Sequence, residues 1–376
     1  MRWFGRKAGR EVSRPVLARV QSVARIGEWP ASYEAQVREG YAGNPVAQRA
    51  VRLVAEGAAG APVAASDPAL AALVAERSAG QPLMETLASH LLLHGNAYAR
   101  VLGDGVRVHE LFALRPERVT VEPDALGWPA AYRYRVGERT ERMACEDMAG
   151  RPAVIHIRGF HPLDDHYGLG CLGAAAGAVA IHNAATRWNK ALLDNAARPS
   201  GALVYDAGDG SVLAPEQFER LRAEMEGAFQ GADNAGRPML LEGGLKWQAM
   251  SMTPADMDFM ALKAAAAREI ALAFGVPPML MGLPGDNAYA NYREANKALW
   301  RQSIVPAAER ILGAIAEGLR PWFANASLAV DVDRVPALGE DRGRLWERVS
   351  AADFLSDAEK RAMLGIEPAA PQGAAA

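Results

Sequence analysis

Residues 267–282 read AREIALAFGVPPMLMG and mark the end of a long predicted helix. We predict this helix from Ala255 to Phe274, because Gly275 and the pair Pro277 and Pro278 stop it. It carries two apolar stripes at spacings of three and four residues. One stripe contains Met257, Met260, Ala264, Ala267, Ala271 and Phe274, and the other contains Leu262, Ala266, Ile270 and Ala273. Both stripes need neighbours, which suits a subunit of a larger ring, although a buried helix of a monomer would show the same pattern.

A second long helix is predicted at residues 169–198, LGCLGAAAGAVAIHNAATRWNKALLDNAAR, ending before Pro199. Its many small side chains allow a neighbouring helix to approach closely. Between the two helices, residues 201–250 are predicted to form a compact α/β insert. Its predicted parts are a strand GALVY (201–205), an Asp-Gly turn (209–210), a helix (215–229) and strands near 239–241 and 245–250.

The chain before residue 160 is predicted to form helices and then strands. Residues 44–94 carry apolar residues at helical spacing, among them Leu83, Leu87 and Leu91. The pattern then changes to alternation, with turns at Gly-Asp-Gly (103–105) and Pro-Asp (123–124). The predicted strands are 98–102, 106–114, 118–122, 131–136 and 154–158. We therefore predict an α+β fold with an antiparallel sheet.

The segment after the double proline is polar, GLPGDNAYANY (282–292), and is predicted to be a loop. A long helix is predicted to follow through Arg320, with Pro306 kinking it. A strand at 327–332 and a short helical region at 342–364 come next. The last residues, 368–376, read PAAPQGAAA and are predicted to be disordered. The sequence contains no internal repeat.

The composition describes a folded chain without a strong overall charge. Of 376 residues, 50% are hydrophobic and 23% charged, which is enough to bury at least one sizeable core. The net charge is −3, so no bulk attraction to DNA or to an acidic membrane is expected. Residues 1–30 differ, with seven basic and two acidic residues. This basic arm is either a solvated terminus or a partner-binding segment.

The sequence gives no sign of a membrane or of a disulfide framework. The basic start lacks the apolar run of a signal peptide, and no later stretch reaches the roughly 18 apolar residues of a membrane span. Cys145 and Cys171 lie in unrelated contexts without CxxC spacing. We expect a protein made in a reducing cytoplasm, and no role is predicted for either cysteine.

Three motifs in the sequence contain residue types that occur in binding or catalytic sites. GLGCLG (168–173) matches G-x-G-x-x-G, but it does not directly follow a strand, so a dinucleotide site is not predicted. One loop contains His161, Asp164, Asp165 and His166. These side chains could form a metal site or an acid–base pair, but we prefer the interpretation that they cap and shape the turn that enters the next helix. His90 and His94 have the spacing of a metal pair, but their apolar stripe favours ordinary packing.

No nucleotide-binding or catalytic motif accompanies these residues. The sequence lacks G-x-x-x-x-G-K-[ST], G-x-S-x-G and H-E-x-x-H. We therefore expect a protein that is not an enzyme, with no cofactor and no metal.

Six blocks of the sequence resemble the portal proteins of long-tailed bacteriophages, in the order found in that family. They are HGNAYARV (94–101), IHIRGFHPLDDHYGLGCLGAAAGAV (155–179), RPSGALV (198–204), AREIALAFGVPPMLMG (267–282), NAYANYREANKALW (287–300) and SDAEKRAMLGI (356–366). The GVPP block with the Asn- and Tyr-rich stretch after it is the most specific of them. The short chain also resembles the portals of gene transfer agents, which are domesticated phage particles.

The resemblance implies a portal fold built from a wing, a two-helix stem, a small clip, a kinked long helix and a short C-terminal crown. The implied parts are a flexible arm (1–30), the first part of the wing (31–168), a stem helix (169–200), the clip (201–253), a second stem helix (254–281), a tunnel loop (282–293), the second part of the wing with the kinked helix (294–335), and the crown with its disordered tail (336–376).

The resemblance also implies a function and partners. Subunits, usually twelve, form a ring at one capsid vertex through which double-stranded DNA is packaged, retained and ejected. DNA binding would be weak and non-specific, and the protein partners would be the terminase large subunit, a head–tail adaptor and the major capsid protein. The residues expected near the DNA are Asn287, Tyr289, Asn291, Tyr292 and Arg293 in the tunnel segment, and Arg187, Lys190, Lys246 and Lys263 in the stem and clip.

Two alternatives remain at the level of sequence. The first is a head–tail adaptor or another structural virion protein, for which the chain length and the paired helices fit poorly. The second is a hydrolase centred on His161, Asp165 and His166.

Overall fold

The computed structural model describes residues 32–194, 201–205, 214–229, 245–249, 259–283 and 289–365. Several sequence predictions lie outside these residues. They are the basic arm, the Asp-Gly turn at 209–210, the strand near 239–241, the first residues of the helix predicted from Ala255, and the C-terminal PAAPQGAAA.

Eleven helices occur in the described residues. They are α1 (Tyr33–Gln36), α2 (Pro45–Ala59), α3 (Pro68–Ala75), α4 (Leu83–His94), α5 (Cys171–Asp194), α6 (Pro215–Phe229), α7 (Phe259–Ala273), α8 (Tyr289–Leu299), α9 (Val305–Leu319), α10 (Gly339–Ser350) and α11 (Asp357–Met363). Two π-helical turns, Val37–Ala42 and Trp300–Ile304, follow α1 and α8. No helix among these residues is long and apolar enough to cross a membrane.

Twelve strands accompany the helices, and every pairing between them in the described residues is antiparallel. They are β1 (Val63–Ala65), β2 (Arg77–Ser78), β3 (Gln81–Pro82), β4 (Asn96–Gly103), β5 (Val108–Leu114), β6 (Val119–Pro123), β7 (Pro129–Val136), β8 (Arg139–Ala144), β9 (Val154–Arg158), β10 (Gly201–Tyr205), β11 (Leu245–Ala249) and β12 (Leu328–Val330). Two three-stranded sheets have the orders β5-β4-β9 and β6-β7-β8. The predicted α+β class is confirmed.

Two of the short pairings join distant parts of the chain. β1 pairs with β12, with Val63 opposite Val330, so the first and the last thirds of the chain share a sheet. β10 pairs with β11, with Gly201 opposite Ala249, and α6 lies between them in the sequence. The predicted α/β insert is therefore closed at its base by a two-stranded ladder.

Side-chain caps fix where several helices begin and end. The Asn44 carboxamide oxygen accepts the backbone N–H groups of Val46 and Ala47, both at 3.0 Å, and so caps α2. Asp67 caps α3 in the same way. Gly95 ends α4 with φ +83°, a conformation that glycine adopts without the steric cost of a side chain.

Three apolar clusters hold the elements together. The largest packs α2, α3 and α4 against α9 and the sheet of β4, β5 and β9, with Leu87, Ile157 and Ile311 almost fully buried. A second joins α2 to α5, α7 and the π-helical turn before α9 through Leu172 and Ile270. The third lies between the two three-stranded sheets, and the Arg100 guanidinium bridges both sheets through two hydrogen bonds to Glu141.

Several predicted boundaries differ from the structure. Strand β8 was not predicted, because Met143 is its only buried side chain and the rest of RTERMA is polar or small. The long helix begins at Tyr289, so residues 289–293 are helical and the predicted loop of residues 282–293 is wrong there. The helix-forming residues Ala290, Glu294 and Ala295 explain the earlier start. Near Pro306 the structure has a π-helical turn immediately before α9, at the expected interruption.

Candidate functional site

The helices α5 and α7 pack along each other and place apolar side chains on the surface. Near the C-terminal end of α7, Ile270 and Phe274 are buried with Leu172 of α5. Toward its N-terminal end, Met260 is 78% exposed and Leu262 is 44% exposed. Ile181 and Trp188 are also exposed on α5. In the single chain, the two predicted apolar stripes are therefore covered only in part.

Three of the predicted cations lie on this helix pair. Arg187 and Lys190 are exposed on α5, and Lys263 is half-buried on α7. The pKa of His182 on α5 is lowered, first by burial and then by the positive charge of Lys263, which places that ammonium group close to α5. Lys246 is exposed elsewhere, on β11, opposite Val204.

Asn44 ties helix α5 to the start of α2. Its side-chain amide group donates to Asn183 Oδ1 at 2.8 Å and to His182 Nδ1 at 3.2 Å. The Asn183 amide group in turn donates to the Glu39 carbonyl at 3.0 Å. Sequence reasoning missed this contact, because about 140 residues separate the partners and no local pattern links them.

The predicted tunnel residues lie at the start of α8, except Asn287, which is outside the described residues. The backbone of Tyr289 begins the helix. Asn291 is exposed and Tyr292 is 51% exposed. These two side chains are therefore available for a partner in the single chain.

Arg293 points toward the C-terminal region. Its guanidinium donates to Glu340 Oε1 on α10 at 2.9 Å, and both side chains are about half exposed. The neighbouring Lys297 lies 3.5 Å from the other Glu340 oxygen. Arg293 is thus a link between α8 and α10 as well as a predicted DNA contact.

The glycines of GLGCLG serve close backbone packing. A Cβ atom on Gly168 would lie 2.1 Å from the Gly95 carbonyl oxygen and 2.5 Å from the Gly159 nitrogen. One on Gly170 would lie 2.6 Å from the Leu93 carbonyl oxygen. Only glycine, which has no Cβ atom, lets the segment before α5 cross so close to the backbone at the ends of β4 and β9.

Asn96, the first residue of β4, hydrogen-bonds to this crossing segment. Its Oδ1 accepts from Gly168 N at 2.7 Å and from His156 Nε2 at 3.0 Å. Its Nδ2 donates to the Gly168 carbonyl at 3.2 Å and to His94 Nδ1 at 3.0 Å. Sequence reasoning did not single out Asn96, although it lies within the HGNAYARV block.

The polar residues of loop 159–168 bond to backbone groups. Asp164 Oδ1 accepts from the nitrogens of His166 and Tyr167 at 2.8 and 2.9 Å. His166 Nε2 donates to the Gly127 carbonyl at 2.6 Å, and His161 Nδ1 accepts from Leu163 N at 3.1 Å. The preferred interpretation as a helix-entry turn agrees with these contacts. Within the described part of the chain, no three His, Cys, Asp or Glu side chains converge in the manner of a metal site.

The pair His90 and His94 packs into the interior. Burial lowers the pKa of each to about 4. The His94 ring meets Tyr33 edge-on at 4.7 Å between ring centroids, while its Nδ1 binds Asn96. Cys145 and Cys171 are free thiols, and burial raises the pKa of both.

Comparisons with known proteins place this arrangement in a family. The phage portal protein family matches residues 45–365, which is most of the chain. The chain belongs to the phage portal protein family. An uncharacterized protein of Rickettsia felis is 39% identical over 349 residues, 88% of each chain. The probable portal protein of Streptomyces phage phiC31 is 28% identical over 64% of this chain and 49% of its own length.

A solved structure agrees with the family assignment. A chain in the neck of the native gene transfer agent particle, computed with C12 symmetry, is 50% identical to this one and has a TM-score of 0.70. The match covers 91% of this chain and 95% of that chain. The resemblance to portals, including those of gene transfer agents, is thereby confirmed.

Proposed function

We propose that this chain is the subunit of a twelve-membered portal ring at one vertex of a phage or gene transfer agent particle. The observation that carries the proposal is the 50% sequence identity between this chain and a chain in the neck of a gene transfer agent particle, computed with C12 symmetry. The match covers more than nine tenths of each chain. A ring also gives the partly uncovered helices α5 and α7 a neighbour on each side. Cyclic assembly uses two unlike faces of each subunit, which suits a helix pair with two apolar stripes.

In this proposal, α5 and α7 are the stem and β10, α6 and β11 are the clip. The sheets and helices of residues 32–168, with α9 and β12, are the wing, because β1 and β12 pair across these two parts. Residues 282–288 and the start of α8 form the tunnel segment, and α10 and α11 form a small crown.

The channel would hold double-stranded DNA weakly and without sequence preference. Each phosphate that a protein neutralises adds salt-dependent affinity, and a channel with many such contacts would retain DNA rather than pass it. Arg187, Lys190 and Lys263 on the stem and Lys246 on the clip are few for one subunit, and the net charge of the chain is −3. Asn291 and Tyr292 offer uncharged contacts.

The protein would work as a conduit and a docking platform rather than as an enzyme. The terminase large subunit would supply the energy of packaging and would dock at the clip, where the head–tail adaptor later replaces it. The wing would meet the major capsid protein. In the particle, the subunit would therefore lie at the capsid vertex after synthesis in the bacterial cytoplasm.

A complementation experiment tests the channel residues. Cells that produce particles would carry the Asn291→Ala, Tyr292→Ala double variant in place of the wild-type gene, and nuclease-protected DNA per particle would be measured. We expect normal particle number with reduced protected DNA. Arg320→Ala serves as the control, since Arg320 pairs with Glu317 on the exposed side of α9. Unchanged DNA content in the double variant would remove these residues from the tunnel.

A further inference from the structure

The junction between the sheet of β4 and β9 and the start of α5 is held by directional contacts. Three backbone segments meet there, at Gly95, Gly159 and Gly168. Gly159 N donates to the Gly95 carbonyl at 2.7 Å, which continues the β4–β9 ladder by one residue. Gly168 crosses this ladder at a distance that leaves no space for a methyl group.

The Asn96 side chain acts at this junction as an added backbone unit. Its amide binds both the N–H and the C=O of Gly168, as a paired residue of a neighbouring strand would. All of its main hydrogen-bonding capacity is used, since His156 Nε2 and His94 Nδ1 take the remaining positions, and the residue is 1% exposed. Aspartate lacks the two donors, and leucine lacks every one of these bonds.

The two histidines that hydrogen-bond to the Asn96 side chain are neutral, as this network requires. Burial lowers the pKa of His94 to about 4 and that of His156 to about 3, so both are neutral at pH 7. His94 Nδ1 can then accept from the amide, and His156 Nε2 can donate to it. His156 also stacks on Tyr98 at 4.3 Å between ring centroids, which fixes the plane of its ring.

A small displacement at this junction would tilt α5 by an angle that is relevant to ring closure. The helix has 24 residues and is therefore about 36 Å long, so a shift of about 1 Å at one end tilts it by roughly 2°. Neighbouring subunits are rotated by 30° in a ring of twelve and by roughly 28° in a ring of thirteen. A shift of about 1 Å at one end of α5 would therefore tilt the helix by an angle close to the difference in subunit rotation between these two ring sizes.

We infer that Asn96 is a positioning residue that fixes the direction of α5 relative to the sheet and thereby holds the ring to a single size. The apolar contacts of α5 are not directional and permit sliding, whereas the Asn96 amide and the glycine backbones permit one arrangement at its N-terminal end. Farther along the helix, the hydrogen bonds of Asn44 to His182 and Asn183 tie α5 to α2 and not to the sheet. This inference rests on the proposed ring function, because the stem and the wing must both contact neighbouring subunits.

The test measures the ring sizes formed by the purified full-length chain, using native mass spectrometry and electron-microscopy class averages. The variants are Asn96→Asp, which keeps the shape but removes two donors, and Gly168→Ala, which forces the crossing segment outward. His156→Phe is a milder third variant that keeps a ring stacked on Tyr98 but removes the donor to Asn96. The control is Ile311→Val, which removes one methylene from the apolar core but leaves every hydrogen bond and glycine of the junction in place.

We expect the junction variants that fold to lose the single ring size and spread into neighbouring sizes, with Ile311→Val keeping one size despite a lower melting temperature. Junction variants that keep the wild-type ring size would overturn the inference. An equal spread in Ile311→Val would also overturn it, because ring size would then follow general stability. A wild-type chain that forms no ring, alone or in its particle, would contradict the proposed function itself.

Discussion

Lys297 on α8 is joined to Glu340 on α10 by an ion pair of 3.5 Å, and the same ammonium group lies 3.1 Å from Glu294. The Lys297 side chain is only 8% exposed, so little water remains to solvate its charge. Glu340 also pairs with Arg293 at 2.9 Å. One carboxylate thus holds α10 against α8, whose first turn is proposed to line the channel.

Replacing this carboxylate should destabilise the contact between α8 and α10. We expect Glu340→Gln to lower the free energy of unfolding by on the order of 2 kcal/mol, because it leaves a buried cation with one partner fewer. Urea denaturation measures the change. The matched control is Glu317→Gln, which breaks the exposed pair with Arg320 and should change stability by less than about 1 kcal/mol. Equal losses in the two variants would show that the burial of Lys297 has no energetic consequence.

Acidic pH should destabilise the fold through three buried histidines. Burial lowers the pKa of His90 and His94 to about 4 and that of His156 to about 3, against about 6.5 for an exposed histidine. The unfolded chain therefore takes up protons first as the pH falls. The stability from keeping these rings neutral is fully present above pH 6.5 and is lost as the pH falls toward 4. Each pKa unit corresponds to about 1.4 kcal/mol, so we expect the free energy of unfolding to fall by several kcal/mol.

The measurement is the urea midpoint as a function of pH from 7.5 to about 5.5, above the range in which most carboxylates titrate. His94→Gln should flatten this profile, because it removes one of the three buried rings. A wild-type profile that is flat over this range would contradict the burial of neutral histidines.

Gly275 should not tolerate alanine. It follows α7 with φ +66°, and an added Cβ atom would lie 2.6 Å from Ser303 Oγ, which donates to the Gly275 carbonyl. We expect Gly275→Ala to lower the free energy of unfolding by about 1–2 kcal/mol, because alanine is strained in the left-handed backbone conformation. Loss of the Ser303 hydrogen bond should lower it further. Gly282→Ala is the comparison, because Gly282 has φ +71° with open space around it. The melting temperature should fall more in Gly275→Ala than in Gly282→Ala. A larger fall in Gly282→Ala would contradict the role given to Ser303.

Two glycines of α9 should respond to alanine with opposite signs. Gly313 has no neighbour within 4 Å of an added Cβ atom, so Gly313→Ala should raise stability by about 1 kcal/mol through better helix propensity. An added Cβ atom on Gly318 would lie 2.6 Å from Ile155 on β9, so Gly318→Ala should lower stability and push the helix from the sheet. Melting temperatures that shift in the same direction for both would contradict the packing of α9 on β9.

Local patterns were enough to predict most of the elements. Alternation predicted β4, β5, β6, β7 and β9, and helical spacing predicted the long helices α5 and α7. Strand β8 was not predicted, because its exposed face carries Arg142 and its buried face carries only Met143. The start of α8 at Tyr289 was not predicted, because the Gly and Asn residues just before it suggested a longer loop.

The contacts of the candidate site were less predictable, for a physical reason. Asn96 and Gly168 are 72 residues apart, and neither hydrogen-bonding capacity nor close backbone approach leaves a periodic signal in a sequence. The resemblance marked both blocks, HGNAYARV and the stretch containing GLGCLG, without indicating that they touch. Likewise, the pairing of Arg293 with Glu340 depends on how α10 folds back onto α8.

Single-particle electron microscopy of the purified protein, or of the unique vertex of its native particle, tests the central claim most directly. The account predicts a closed ring of twelve subunits around an axial channel wide enough for duplex DNA, with α5 and α7 lining it and the β10–β11 segment at its narrow end. A monomeric globule without such a ring at any vertex would contradict it.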